Sequence, residues 1–242
     1  KKFKTMKLLA QASNKYDALL TLITASIVGA PKASMMFFES APAFGSPFGI
    51  FPSIEVDSKS NEWVHGLHGV LYWLCQKQVK LNLDLGAKST QWINWMESSR
   101  DLKLAEDALV QNPNNFVVKN TTMMSIADLA VFVVMYIDGI DKVTSPQLKQ
   151  LFASINEIKT VKKAIAAFEK TSGIYDEGIK SIQLLNSDAE PTKEALLHAS
   201  AYYSAQASVI PFVKKKFVKY EEDIQLLNSI AKDFKTQASQ FK

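Results

Sequence analysis

The pattern of apolar and polar positions changes about a quarter of the way along the chain. Before residue 67, short apolar runs separated by turns predict strands at 7–10, 35–39, 51–56 and 62–64. One longer segment, 15–28, carries apolar residues at helical spacing and ends at Gly29-Ala30-Pro31, so we predict a helix there. The prolines and glycine of 40–48 and the polar stretch 57–61 predict loops between the strands.

After residue 67 the spacing of apolar residues is helical almost throughout. It predicts helices over roughly 67–78, 88–110, 125–140, 145–153 and 158–170. A more polar stretch with two glycines, 171–191, comes next, and two further helices are predicted at 192–209 and 212–241, with a break at Pro211. Strands in the first third and helices in the rest predict a small α/β domain followed by a helical one.

The last predicted helix carries apolar residues at alternating spacings of three and four, a heptad seam of about three and a half repeats. The seam residues are Phe217, Tyr220, Ile224, Leu227, Ala231, Phe234, Ala238 and Phe241. Two interpretations remain open: a coiled-coil interface with a partner, and a helix that packs back on its own domain.

Composition narrows the class of protein. The chain has 242 residues, is 47% hydrophobic and has a formal net charge of +4, values typical of a globular domain with little non-specific attraction to nucleic acid. Arg100 is the only arginine, which argues against a dedicated reader of bases. The run Lys214-Lys215-Lys216, with Lys219, allows weak or indirect contact with tRNA, or forms a charged, exposed helix. No apolar run approaches membrane-spanning length, so we expect no membrane span and a cytoplasmic protein.

One short motif predicts where a buried helix begins. Ser125 and Asp128 stand three residues apart, the spacing of a capping box in which each side chain bonds to the backbone of the other residue. The helix that follows, 129–137, is apolar around most of its circumference. We therefore expect it at the centre of the helical domain.

The motif Ser125-Ile126-Ala127-Asp128 resembles the box that begins the central helix of the C-terminal domain in the glutathione transferase superfamily. The segment Gly49-Ile50-Phe51-Pro52 resembles the family segment in which a glycine precedes a cis-proline and a strand, so the resemblance implies a cis bond before Pro52. The order of elements over about residues 5–170 matches as well. The implied fold is of the α+β/α class: a thioredoxin-like N-terminal domain at 1–78, a helical transferase C-terminal-like domain at 85–170, and a helical extension at 171–242.

The transferase chemistry is not evident in the residues that should carry it. The resemblance places a Glu/Gln-Ser pair at the start of the helix after the fourth strand, where it would hold a carboxylate of glutathione. Gly66-Leu67 stands there instead, and no arginine lies nearby in the sequence to replace it. If the chain were an enzyme, Ser13 or Tyr16 would supply the hydroxyl at the end of the first strand. We otherwise expect no catalytic residue, no cofactor and no metal.

The expected function is therefore that of a non-catalytic interaction module. Among proteins with this fold, the resemblance is to domains in gamma subunits of elongation factors and in aminoacyl-tRNA synthetases and their scaffold proteins. The expected partner is another domain of the same fold in such an assembly, or a second copy of this chain. Two alternatives stay open: a divergent glutathione transferase acting on small electrophiles, and a structural or regulatory protein outside translation.

Overall fold

The computed structural model describes residues 7–11, 13–30, 34–38, 51–57, 62–77, 83, 86–119, 121–213 and 221–241. The predicted turn 57–61, the loop 40–48 and the lysine run that begins at Lys214 lie largely or wholly outside the described residues. The chain divides into two compact units, one made of residues 1–35 and 50–168 and the other of residues 36–49 and 169–242.

The strands and the first helices follow the predicted order closely. The strands are β1 (Lys7–Gln11), β2 (Ser34–Phe38), β3 (Ser53–Asp57) and β4 (Glu62–His65). The helices up to residue 156 are α1 (Lys15–Ile27), α2 (Leu67–Lys77), α3 (Ala87–Ser98), α4 (Leu102–Val110), α5 (Ile126–Asp138) and α6 (Pro146–Asn156), with a 3₁₀ turn at Ile140–Lys142.

The sheet has the strand order β2-β1-β3-β4, so β1 and β3 are its central strands. β3 runs antiparallel to both β1 and β4, with Ile54 opposite Leu8 on one side and Val64 on the other. Leu8 and Ile54 are fully buried because α1 and α2 pack on this part of the chain. A small sheet followed by helices is the predicted fold class, a thioredoxin-like N-terminal part with a helical C-terminal part.

Helix α5 lies at the centre of the first unit. Every residue from Ile126 to Met135 is buried, and the helix packs against α1, α3 and α6. Its Phe132 ring stacks on that of Phe152 in α6, with centroids 4.8 Å apart. An element buried on all sides needs apolar residues around its whole circumference, which is the pattern present in the sequence.

The predicted single helix over 88–110 is wrong, because two helices occupy that range. α3 ends at Ser98, where the backbone N–H groups of Ser99 and Arg100 both donate to the Trp95 carbonyl at 3.0 Å. Arg100 then adopts a left-handed φ of 51°. Asp101 begins α4 as its N-cap, with a carboxylate oxygen that accepts from Lys103 N at 2.9 Å. Helical periodicity carries across such a break because the turn between the two helices is very short.

The predicted end of the helix over 158–170 is also wrong. α7 runs without interruption over Lys159–Leu185, including both of its glycines. α8 (Lys193–Val213) includes Pro211, so the break predicted at this residue is wrong. A polar or glycine-containing stretch can remain helical when helices pack on it, since each glycine costs only about 1 kcal/mol of helix propensity.

In the second unit, α8 and α9 (Glu221–Gln240) form an antiparallel hairpin. The Ser200 hydroxyl donates to the Ala231 carbonyl at 2.7 Å, and Lys193 Nζ lies 3.5 Å from the Phe241 carbonyl oxygen. From Lys193 to Ser200 the residue number rises along α8, while that of the partner falls along α9 from Phe241 to Ala231. The two helices are therefore antiparallel. No helix in the described part of the chain has both the length and the apolar character needed to cross a bilayer.

Part of the heptad seam packs inside this hairpin. Ala231 and Ala238 are buried, and the Phe234 ring stacks on that of Tyr203 in α8, with centroids 5.9 Å apart. Ile224 and Leu227 are half-buried. Phe217 and Tyr220 lie outside the described residues. A coiled-coil interface with a partner stays a prediction.

Candidate functional site

The turn between β1 and α1 forms one wall of the candidate site. Asn14 is the N-cap of α1: its Oδ1 accepts from Asp17 N at 3.3 Å and its Nδ2 donates to Asp17 Oδ2 at 2.7 Å. The helix is therefore capped by Asn14 and not by Ser13, which lies exposed in the turn. Asparagine is as effective a cap as serine.

The Phe51–Pro52 peptide bond forms the opposite wall, and it is cis. The Pro52 carbonyl accepts a hydrogen bond from Gly66 N at 2.8 Å, which fixes the start of α2 beside the proline. Gly66 has a φ of 78°, a conformation that strains residues with a Cβ. Leu67, the first residue of α2, is buried. Neither residue has a side-chain donor or acceptor for a ligand carboxylate.

Between these walls lies a small cleft. It is lined by Ala10, Gln11, Asn14, Asp17, Ala18, Phe51 and Pro52 and has room for about one water molecule. Neither Ser13 nor Tyr16 is among the described residues that line it. The end of β1 and the cis-proline therefore meet as the resemblance implies.

Among the described residues that line this cleft, Asp17 is the ionisable one, and it is 8% exposed. Burial raises the pKa of Asp17 to about 7, and the charge of Glu97 adds to the rise. Arg100 and the hydrogen bond from Asn14 oppose it. Near neutral pH this carboxyl is therefore divided between its two protonation states. Its ionised form would repel a thiolate or a carboxylate placed in the cleft.

The Tyr16 hydroxyl is engaged in a contact between helices and not in the activation of a thiol. The hydroxyl donates to Asp138 Oδ1 at the end of α5, 2.5 Å away. Burial raises the pKa of Tyr16, and the hydrogen bond to Asp138 adds to the rise. A tyrosine that stabilises a thiolate must give up its proton or share it with the sulfur, so a partner that holds the proton on the phenol works against that chemistry.

Arg100 is a residue of this site that the sequence analysis did not place there. Its guanidinium carbon lies 3.9 Å from the centroid of the Tyr16 ring, a cation–π contact, and its Nε donates to the Met96 carbonyl at 2.8 Å. The expectation that no arginine lies nearby in the sequence concerned Gly66-Leu67, whereas Arg100 contacts Tyr16. The residue is distant in sequence, and the left-handed turn after α3 brings its side chain back over α1.

The box at Ser125 and Asp128 has a structural role. One carboxylate oxygen of Asp128 accepts from both the backbone N–H and the hydroxyl of Ser125, at 2.7 and 2.8 Å. The other accepts from Val117 N at 2.8 Å, so Asp128 also fixes the segment that leads to α5. Burial raises the pKa of Asp128, and these hydrogen bonds counter part of the rise.

The two histidines near the start of α2 have separate surroundings. His65 Nδ1 lies 2.9 Å from the Ser53 hydroxyl, and His68 Nε2 lies 3.5 Å from a carboxylate oxygen of Glu97. Among the described residues, no three His, Cys, Asp or Glu side chains come together as a metal site would require.

The fold and the cleft together define the class: the chain has the glutathione transferase-like fold. Ure2p in complex with glutathione superposes with a TM-score of 0.55 at 14% identity, over 69% of this chain and 95% of that one. Glutathione S-transferase unclassified 2 from Bombyx mori gives 0.53 at 13% identity, over 70% and 96%. Apo URE2P6 from Phanerochaete chrysosporium gives 0.52 at 15% identity, over 69% and 99%. No protein-family model and no curated protein sequence matches the chain.

Proposed function

We propose that this chain is a non-catalytic protein of the transferase fold that acts as a docking module. The observation that supports this most directly is the state of Tyr16, whose hydroxyl donates to Asp138 while Arg100 covers its ring. This phenol is committed to a contact between α1 and α5. The hydroxyl that thiol activation needs is therefore unavailable from this residue.

A second observation that supports the proposal is the pair of residues at the start of α2. A thiol peptide brings two carboxylates, and the side chains of Gly66 and Leu67 offer neither of them a hydrogen bond. A hydrogen bond to a charged group contributes about 1.5–3 kcal/mol, so losing such bonds weakens binding by one to two orders of magnitude each. The carboxyl of Asp17 in the cleft adds repulsion when it is ionised.

A module that has lost its ligand retains its surfaces, and the proposed role is assembly within the cytoplasmic translation apparatus. Support comes from the sequence resemblance to the domains of elongation-factor gamma subunits and synthetase complexes. A second compact unit, made of residues 36–49 and 169–242, is consistent with a helical extension that a free transferase does not need. The proposed partner is a domain of the same fold in such a complex, or a second copy of this chain.

Glutathione conjugation remains the second candidate function, and a specific observation favours keeping it. The cis-proline is present beside the end of β1, and solved structures of similar fold carry glutathione, as the Ure2p complex does. An enzyme built on this chain would have to use Ser13 or Tyr16.

Both candidates can be tested on the full chain. We expect no retention on immobilised glutathione and no conjugation of 1-chloro-2,4-dinitrobenzene above the uncatalysed rate. The matched variants are Ser13→Ala and Tyr16→Phe, which should change neither result. Conjugation by the native chain that either variant abolishes would overturn the non-catalytic proposal.

The proposed docking role needs a separate measurement. Light scattering after size exclusion should show a dimer of the chain, or a complex with a purified transferase-like domain from a synthetase, scaffold or elongation-factor subunit. A strict monomer that binds none of these would contradict the docking role while leaving the non-catalytic result intact.

A further inference from the structure

The cleft between β1, α1 and the cis-proline is lined by a mixture of apolar and polar groups. Its polar lining residues are Gln11, Asn14 and Asp17, and no cationic side chain is among the described residues that line it. The space has room for about one water molecule. A molecule that binds there must therefore present a head group of about that size.

One oxygen of the Asp17 carboxylate is left for such a head group. Oδ2 accepts from Asn14 Nδ2 at 2.7 Å, and no described residue donates a hydrogen bond to Oδ1. Asp17 is 8% exposed, yet Oδ1 is not among the described side-chain oxygens that are closed off from solvent without a partner. Because Asp17 lines the cleft, Oδ1 is within reach of a small molecule bound there.

The electrostatic surroundings of this carboxylate favour a positively charged donor. Burial raises the pKa of Asp17 to about 7, the charge of Glu97 adds to the rise, and Arg100 opposes it without cancelling it. The protein by itself therefore compensates the ionised carboxylate incompletely. A cation that donates a hydrogen bond to a buried carboxylate offsets the cost of burying the charge.

A primary ammonium group fits these features better than a metal ion. It has three N–H donors, accepts no hydrogen bond and is close to a water molecule in size. Asp17 Oδ1 and the side-chain amide of Gln11 offer acceptors, while Phe51 and Pro52 offer apolar surface to the carbon beside the nitrogen. Ca²⁺ takes about six to eight oxygen ligands, which is more than this lining supplies.

We propose that this cleft binds the primary ammonium group of an alkylamine, with Asp17 Oδ1 as its counter-ion and hydrogen-bond acceptor. Asn14 holds the carboxylate through Oδ2 and leaves Oδ1 to the ligand. The site thereby selects the charge opposite to that of the carboxylates of a thiol peptide. The proposal is independent of the docking role, since all of its groups lie in the cleft of one chain.

The test is a titration of the full chain with methylammonium chloride at pH 8, followed through the backbone amide shifts of Gln11, Asn14 and Ala18 by nuclear magnetic resonance. A ligand of two heavy atoms binds no more tightly than about 6 mM. Sodium chloride at equal ionic strength is the reference, and tetramethylammonium chloride carries the charge without an N–H donor. We expect saturable shifts of these amides with methylammonium and with neither of the other two salts.

The ammonium group can come from a free amine or from a lysine side chain, and two larger ligands separate these sources. Butylammonium and Nα-acetyl-lysine N-methylamide share the ammonium group and its four-carbon stem. Binding of both would support a site that accepts lysine side chains as well as free amines. Binding of butylammonium alone would support a site for free amines, and binding of neither would contradict the proposal.

The substitution Asp17→Asn tests the role of the Oδ1 atom. The side-chain oxygen of the asparagine still accepts from Asn14, which places its NH₂ group, a donor, where Oδ1 was. The affinity for methylammonium should fall by about tenfold or more, because a hydrogen bond to a charged group is lost. Asp107→Asn is the matched control: this exposed carboxylate pairs with Lys103 on α4, and its loss should leave the affinity unchanged.

Gln11→Lys gives a second decision if Asp17→Asn folds poorly. Gln11 is the last residue of β1 and is half-buried, so a lysine there brings its own ammonium group to the cleft and leaves Asn14 and Asp17 in place. Methylammonium should then be displaced or repelled, with a loss of about tenfold or more in affinity. The proposal is overturned if methylammonium does not bind the native chain saturably, or if its binding is unchanged in either variant.

Discussion

At the scale of single residues, two of the buried carboxylates in the first unit, Asp128 and Asp17, have distinct roles. Asp128 accepts three hydrogen bonds from Ser125 and Val117 and is fully buried. Asp17 is also buried but accepts from Asn14 and lines a cleft. Hydrogen-bond donors from the start of its own helix and from the segment before it hold the Asp128 carboxylate. The pKa of Asp17 depends on burial and on the charges of Glu97 and Arg100, which belong to other parts of the chain.

The first prediction concerns Asp128. Replacing it with alanine leaves the buried N–H groups of Val117 and Ser125 without an acceptor, which costs about 1–3 kcal/mol for each group. We expect Asp128→Ala to lower the free energy of unfolding by roughly 3 kcal/mol or more, measured by urea denaturation. Asp107→Ala is the control, because this exposed carboxylate pairs only with Lys103 on the surface of α4, and its loss should cost less than about 1 kcal/mol. Equal effects of the two substitutions would contradict the role assigned to the box.

At the scale of elements, α7 shows how one helix tolerates two glycines for different reasons. A Cβ at Gly178 would lie 2.5 Å from the Cβ of Tyr202, so the absence of a side chain lets α7 and α8 approach closely. A Cβ at Gly173 would meet nothing within 4 Å. The Tyr202 ring in turn contacts those of Tyr175 and Tyr203, with centroids 6.1 and 5.4 Å away.

These surroundings predict opposite outcomes for the same substitution. Gly173→Ala should stabilise the chain by up to about 1 kcal/mol, because alanine favours the helix and no atom is displaced. Gly178→Ala should destabilise it by about 1–2 kcal/mol, since the clash with Tyr202 outweighs the gain in helix propensity. Thermal unfolding of the two variants side by side measures the difference, and a gain in Tm for Gly178→Ala would show that α7 and α8 do not meet at this point.

At the scale of the whole molecule, the two compact units each bury their own core. The first is centred on α5, and the second contains the hairpin of α8 and α9 with Phe234 stacked on Tyr203. We expect urea unfolding to show two steps. Asp128→Ala should move one of them and Phe234→Ala the other, the latter by about 2–4 kcal/mol because a large ring is lost.

A suitable control for that experiment is Leu226→Ala, since this leucine on α9 is 59% exposed and should shift neither step measurably. A single transition that both core substitutions move together would show that the units unfold as one.

The sequence predicted most of the elements because their signals are local. The apolar periodicity of α5 and the three-residue spacing of Ser125 and Asp128 are properties of short segments. They located the central helix to within one residue of its observed start at Ile126. The breaks were predicted less well. Ser99 to Asp101 turns the chain without a glycine or proline, and the polar stretch after Thr171 stays helical because packing outweighs its weak propensity.

The sequence by itself therefore determined the order of strands and helices, the buried character of α5 and the absence of hydrogen-bonding side chains at Gly66-Leu67. Only the tertiary structure decided the character of the cleft. Tyr16 and Asp138 are 122 residues apart, and Arg100 reaches Tyr16 from a different helix end. Contacts of this kind depend on how the helices pack. The burial that raises the pKa of Asp17 depends on the same packing. No local pattern of residues encodes these contacts or this pKa, because the cost of burying a charge is set by everything that surrounds it.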